Sequence, residues 1–336
     1  MADARTLHND ALVIDSLVYH ADGWTDDLTA GAVDAIAVTA CHFECDFEQA
    51  CQEVARWQAR FMAPDSAWMQ VETVADFDRA REAGRIGAVL GWQNTRPIAD
   101  RIERLHLFHK LGLRVMQLTY NYRNMLGDGC LEPEGAGLTT YGRDVVREMN
   151  RLGIAIDLSH VGYRTSMDAI DVSDKPCLIT HANAHALSPL ARNKPDDLIE
   201  ALVAKGGYIG ASIYGPMNWD GDESRKPGID DYLRHLDYLV DLAGPEHLGF
   251  GTDLAAGEDL QKIAFERTPP RRWEGIDSFN RAFGEAIPER YLSDVRSHAD
   301  LPKVTAALVA RGWPERQIRG YLGGNFKRTL GEVWQR

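Results

Sequence analysis

Residues 141–160 read YGRDVVREMNRLGIAIDLSH. Val145, Val146, Met149 and Leu152 recur at the spacing of one helical face, and Gly153 stands just past the last of them, where a helix commonly ends. An apolar run, 154–159, follows directly and is short enough to be a strand. A helix stopped by glycine and fed into a buried strand is half of a β-α repeat. Eight such apolar runs occur: 11–18 (ALVIDSLV), 33–40 (VDAIAVTA), 86–92 (IGAVLGW), 113–119 (LRVMQLT), 154–159 (IAIDLS), 176–181 (PCLITH), 207–213 (GYIGASI) and 247–252 (HLGFGT). Helical patterns at 46–62, 99–111, 141–152, 195–204 and 228–243 lie between them. The count predicts an α/β fold of the closed (β/α)8, TIM-type barrel kind. An open doubly wound sheet competes, but it usually carries fewer strands and a glycine-rich phosphate turn after the first, which is missing here.

The chain has 336 residues, without a visible linker, repeat or low-complexity segment, so residues 1–336 are read as a single catalytic barrel domain. With 44% hydrophobic and 26% charged residues it can bury a large core. A formal charge of −13 and the lack of a basic stripe argue against nucleic acid as a partner. The opening MADARTLHNDALVID lacks the basic start and apolar run of a signal peptide, and no run approaches the ~20 apolar residues of a membrane span. Five cysteines (Cys41, Cys45, Cys51, Cys130, Cys177) form no framework pattern and are read as reduced thiols. A cytoplasmic protein without a membrane partner is expected, and any assembly is expected to be a homodimer. The irregular stretch 254–276, with Pro269, Pro270, Arg271 and Arg272, is read as a lid or an ordered surface loop.

In such a barrel the strand ends converge on one cavity, so they are where chemistry is to be sought. The run at 154–159 leads into Asp157-Leu158-Ser159-His160, the run at 176–181 ends Thr180-His181, and the last run leads into Gly251-Thr252-Asp253. A lone strand-end histidine is usually structural; two at equivalent positions of adjacent strands, with an aspartate nearby, suit zinc or a similar divalent ion.

Four stretches in order, NRLGIAIDLSHVG (150–162), THANAHALSPLARN (180–193), GFGTD (249–253) and GGNFKR near the C-terminus, make the chain resemble the membrane dipeptidase (renal dipeptidase) family of zinc peptidases, within the amidohydrolase-like barrels. The resemblance implies that His160 and His181 bind metal, that Arg192 holds the substrate carboxylate and that Asp253 is the catalytic acid/base. It further implies an oxyanion-stabilising role at the position of Tyr120, where the family often has histidine.

Two positions depart from the family. Its first strand normally reads Asp-Gly-His-x-Asp, whereas the register here gives Asp15-Ser16-Leu17-Val18-Tyr19. Its third strand supplies a glutamate bridging two metals; here Gln93 stands there, a neutral amide that cannot offset the repulsion of two cations and that is left to contact substrate. One zinc ion rather than two is therefore expected. His20 and Asp22 lie three residues beyond the family pair, with reversed strand parity, and are expected in the loop after the strand, although a bulge there would re-aim His20. Glu44, just past the second run, is the substitute metal ligand by position; Cys41, His42 and Cys45 beside it match no common zinc spacing. His185 is assigned a supporting place behind His181.

The function expected is metal-dependent hydrolysis of a dipeptide or small dipeptide-like amide with a free carboxylate. The alternatives are a different reaction on a small amino-acid-derived carboxylate in the same barrel, such as a lyase or lactam hydrolase, and a non-catalytic pseudoenzyme binding such a ligand. A structural reading of Arg192 competes with the clamp: it would brace its loop through Asp196, Asp197 or a backbone carbonyl.

Overall fold

Every one of the eight apolar runs contains a strand. In a computed structural model that describes residues 3–21, 25–133, 135–222, 224–256 and 291–335, the strands are β1 (Ile14–Ala21), β2 (Ala35–Cys41), β3 (Trp68–Gln70), β4 (Ile86–Trp92), β5 (Leu113–Gln117), β6 (Ala155–Asp157), β7 (Leu178–Ile179), β8 (Tyr208–Ala211), β9 (Leu248–Phe250) and β10 (Leu254–Ala256). They are hydrogen-bonded in the order β10-β1-β2-β4-β5-β6-β7-β8-β9, with β3 attached to β4 off this path. All pairings are parallel.

The two ends of that path are one piece of chain. β9 and β10 are separated only by Gly251-Thr252-Asp253; the Gly251 N–H donates to Ala211 O of β8 (3.0 Å) and the Asp253 N–H to Leu17 O of β1 (3.1 Å). The last strand thus bridges β8 and β1 and closes the ring. Glycine is required at its midpoint, because a Cβ on Gly251 would lie 2.0 Å from Thr180 O.

Side-chain alternation explains why the runs read as continuously apolar. Ile36, Leu90, Met116, Ile156, Ile179 and Ile209 join the large outer core against the helices. Their neighbours Ala35, Val89, Val115, Ala155, Leu178 and Tyr208 form a second core inside the ring. Phe326, Leu330 and Val333 of the Asn325–Trp334 helix belong to this inner core and plug the barrel's N-terminal end. Chemistry is left to the other end. The helix of the opening motif runs Thr140–Leu152, buries Val145, Val146 and Met149, and ends at Gly153 with φ 75°, the left-handed conformation expected of that glycine.

One expectation is corrected. β1 runs to Ala21, so His20 is part of the strand and not of the following loop; Asp22 lies outside the described residues. The reason is irregular pairing: register shifts occur between Asp15 and Val18 against β2 and between Val18 and His20 against β10. Such irregularities break the strict alternation from which the parity of His20 was read. The stretch 254–276 opens with β10, and its remainder, including Pro269 to Arg272, lies outside the described residues. No helix among the described residues is long and apolar enough to cross a membrane.

Candidate metal and substrate site

The ends of β6 and β7 are tied together by one buried carboxylate. Asp157 Oδ1 accepts from the Ser159 N–H (3.1 Å), the Ser159 hydroxyl (2.6 Å) and the Thr180 N–H (3.0 Å), and Oδ2 accepts from the Thr180 hydroxyl (2.9 Å). The Ser159 oxygen in turn receives the His181 N–H at 3.2 Å. This lock fixes the residues that follow, His160 and His181, whose Nε2 atoms face each other at 3.0 Å.

Their outer nitrogens decide the tautomers. His160 Nδ1 lies 2.9 Å from Asn121 Oδ1, which only accepts, so Nδ1 carries the proton. His181 Nδ1 lies 2.9 Å from the Thr180 hydroxyl, whose own proton is given to Asp157, so here too Nδ1 donates. Burial, followed by the nearby Arg192 guanidinium, holds both imidazoles well below the usual histidine range, and neither takes up a second proton. Two neutral rings therefore present lone pairs to each other, an arrangement that repels unless a cation lies between them. The pair fits one metal ion.

The position of Gln93 offers no negative charge to a second ion. Gln93 Nε2 donates to Thr39 Oγ1 (2.8 Å), and its Oε1 is buried without a hydrogen-bond partner; it brings no charge. Glu44 sits in the loop after β2, its N–H directed at His42 Nδ1 (3.3 Å). No group of three or more His, Cys, Asp or Glu side chains among the described residues is arranged to hold a metal, so neither Glu44 nor Asp253 joins the two histidines in such a cluster. His185 is exposed, faces a different cavity, and is not in a helix with His181.

Around the histidine pair stand the other expected residues. The Tyr120 ring is stacked between Phe43 (3.7 Å) and His160 (4.1 Å). Its hydroxyl is kept protonated, pushed well above the ordinary tyrosine range by burial and then by Tyr19 and Asp253, which with Arg192 and Tyr214 lie close enough to act on it. Asp253 is half-buried at the split of the last strand with φ 58°. Asn121, the partner of His160, has φ 59°. These left-handed conformations are unusual outside glycine, although Asp and Asn tolerate them best.

Arg192 is fully buried. It donates through Nη1 to Ser159 O and through Nη2 to His181 O (3.1 Å), so it grips the two strand ends that carry the facing histidine pair; Nε is buried without a partner. Neither Asp196 nor Asp197 is its partner. Lys194, also buried, donates to Val161 O (3.0 Å) and has its pKa lowered to about 7 by burial and by Arg192. Sequence reasoning missed Asn121, Lys194 and the locking role of Asp157. The signal for Asp157 was present, since it precedes His160 in the same strand-end motif.

A closed parallel ring with candidate side chains gathered at its strand ends is a (β/α)8 barrel of the enzyme kind, and comparison with solved structures narrows it to the amidohydrolase-like barrels. An amidohydrolase from Pseudomonas aeruginosa superposes with a TM-score of 0.88 at 29% identity, covering 99% of each chain. A metallopeptidase from Rhodobacter sphaeroides, liganded with a phosphinate mimic of the dipeptide L-Ala-D-Ala, has the same fold (TM-score 0.79, 21% identity, covering 97% of this chain and 100% of that one). The model of the membrane dipeptidase family, peptidase family M19, matches residues 25–263, and the chain belongs to that family. Dipeptidase aclJ of Aspergillus oryzae is 30% identical over 252 residues, 74% of this chain and 52% of that protein. The chain spans about half the length of the curated relatives it matches.

Proposed function

We propose that this chain is a metal-dependent hydrolase of dipeptides or small dipeptide-like amides that carry a free carboxylate. The observation that carries the reading is the His160–His181 contact, two neutral imidazoles with their Nε2 lone pairs turned on one point. A single divalent ion held there, zinc by preference of the two nitrogen donors, would polarise the scissile carbonyl and acidify water beside it.

The chain's own groups do the rest. Asp253 takes the proton of the attacking water and passes it to the leaving amine nitrogen as the C–N bond breaks. The Tyr120 hydroxyl, held protonated, donates to the carbonyl oxygen as negative charge builds on it. Arg192 keeps a buried Nε–H for the substrate carboxylate while its Nη atoms hold the strand ends. Gln93 Oε1, without a partner, accepts from a substrate N–H.

The test combines metal analysis of protein purified without chelator with hydrolysis of simple dipeptides. One equivalent of divalent metal, lost in His181→Ala, is expected, together with release of free amino acids that falls roughly a hundred- to ten-thousand-fold in Asp253→Asn. Protein without metal and without cleavage of any dipeptide would sink the reading.

A further inference from the structure

A cavity of about 430 Å³ has Tyr120 in its lining, and Asp46, Asn94, Arg96, Asn124 and Met125 are among its other walls. Most of its polar groups are used up in holding the walls. Asn94 donates to Phe43 O (3.1 Å) and accepts from the Thr95 N–H (2.9 Å) and from Asn124 Nδ2 (3.0 Å). Asn124 Nδ2 also reaches Leu118 O at 2.7 Å. Arg123, a further wall residue, is paired with Asp128. Asp46 caps the helix that starts at Phe47, accepting from the Gln49 N–H at 3.0 Å.

Arg96 is the exception. It is half-buried, its Nε is enclosed without an acceptor, and its guanidinium makes neither an ion pair nor a hydrogen bond among the described residues. A cation partly removed from water and left without a counter-charge is costly, and an arriving anion relieves that cost. The planar fork suits a carboxylate.

We propose that this cavity is a side-chain subsite and that Arg96 makes it specific for a substrate residue bearing a carboxylate, an acidic dipeptide rather than a neutral one. The proposal rests on the hydrolase reading for its substrate, and Tyr120 is the wall that the subsite shares with the reacting centre.

The experiment measures kcat/KM for Glu-Ala and Ala-Glu against their isosteres Gln-Ala and Ala-Gln. The wild-type protein is expected to favour one glutamate substrate over its glutamine isostere by roughly ten- to a hundred-fold, the range of a charge-assisted hydrogen bond. Arg96→Met should bring that ratio close to one, and Arg96→Lys should keep part of it; thermal melts on both variants check folding. A wild-type ratio near one, or a ratio unchanged in Arg96→Met, overturns the proposal. If no dipeptide is cleaved at all, the hydrolase reading fails separately, and calorimetry with the monocarboxylate propionate, compared between the wild-type protein and Arg96→Met, reads the subsite. Binding that weakens at least ten-fold in Arg96→Met supports it, and absent or Arg96-independent binding overturns it.

Discussion

Replacing Lys194 by methionine is expected to stabilise the protein at neutral pH, against the usual effect of a change in a buried position. The Lys194 ammonium is buried beside Arg192, and its pKa falls from 10.5 to about 7. At ~1.4 kcal/mol per unit this corresponds to roughly 5 kcal/mol of penalty for keeping the charge in the folded state. The penalty is fully present below pH 7, where both folded and unfolded chains hold the proton. Between about pH 7 and 10.5 the unfolded chain keeps the proton and the folded one releases it, so the wild-type protein gains about 1.4 kcal/mol per pH unit from this group. Methionine fills similar space without charge but leaves Val161 O without its donor, at a cost of about 1–3 kcal/mol. The net expectation at pH 7 is a gain of roughly 1–3 kcal/mol, closing and then reversing as pH rises toward 9.5. Urea unfolding of both proteins at several pH values between 7 and 9.5 measures the gap, and other titrating groups cancel in the difference. A variant less stable at pH 7, or a gap that stays constant across the range, would show that Lys194 is not held as a strained cation.

Two further substitutions separate roles that the site superposes. Arg192→Lys cannot hold Ser159 O and His181 O together with a planar fork, so both stability and substrate affinity should fall, by roughly 1–3 kcal/mol each, read from a melt and from KM or a product-inhibition constant; loss of affinity alone would mean that the strand-end grip contributes nothing. His20→Ala should leave the bound metal at one equivalent by elemental analysis, because the facing pair is His160 and His181. Loss of metal in that variant would place His20 among the ligands.

The barrel was legible because its signal is repeated and redundant. Each run such as 33–40 or 86–92 carries two apolar faces, one against the helices and one inside the ring, so a continuous stretch of Val, Ile and Ala has only one economical use in a chain that alternates it with helices. What escaped was short or irregular. Trp68–Gln70 is three residues long, too few to show an alternation, and attaches to β4 as an outlier. The last run, 247–252, holds only β9; beyond Gly251-Thr252-Asp253 the chain pairs again as β10 with a different neighbour, and no local pattern announces that second strand. His20 was misplaced for a related reason: register shifts in β1 are set by what β2 and β10 offer, far away in sequence.

The site was legible only as far as strand ends reach. His160, His181 and Asp253 could be read from their places after apolar runs, and Arg192 from a resemblance, but what makes the histidines usable is supplied by Asn121 and by the Asp157–Thr180 lock, partners brought together by adjacent strands rather than by spacing. Lys194 was invisible on general grounds, since a lysine in a loop is taken to be solvated. Its burial and that of Arg192 have a common consequence. Cys130 and Asp157 favour the Lys194 proton, but burial and the Arg192 charge outweigh them. Burial keeps the imidazoles neutral and lowers the lysine pKa to about 7, and Arg192, which has no negative partner charge among the described residues, adds to both effects. A substrate carboxylate arriving at Arg192 would supply that charge, so binding of a carboxylate should raise the Lys194 pKa and take up a fraction of a proton near pH 7. Calorimetry of a dipeptide or a single amino acid in buffers of different ionisation enthalpy reads that uptake, and proton release instead of uptake would mean that the carboxylate binds away from the buried cations.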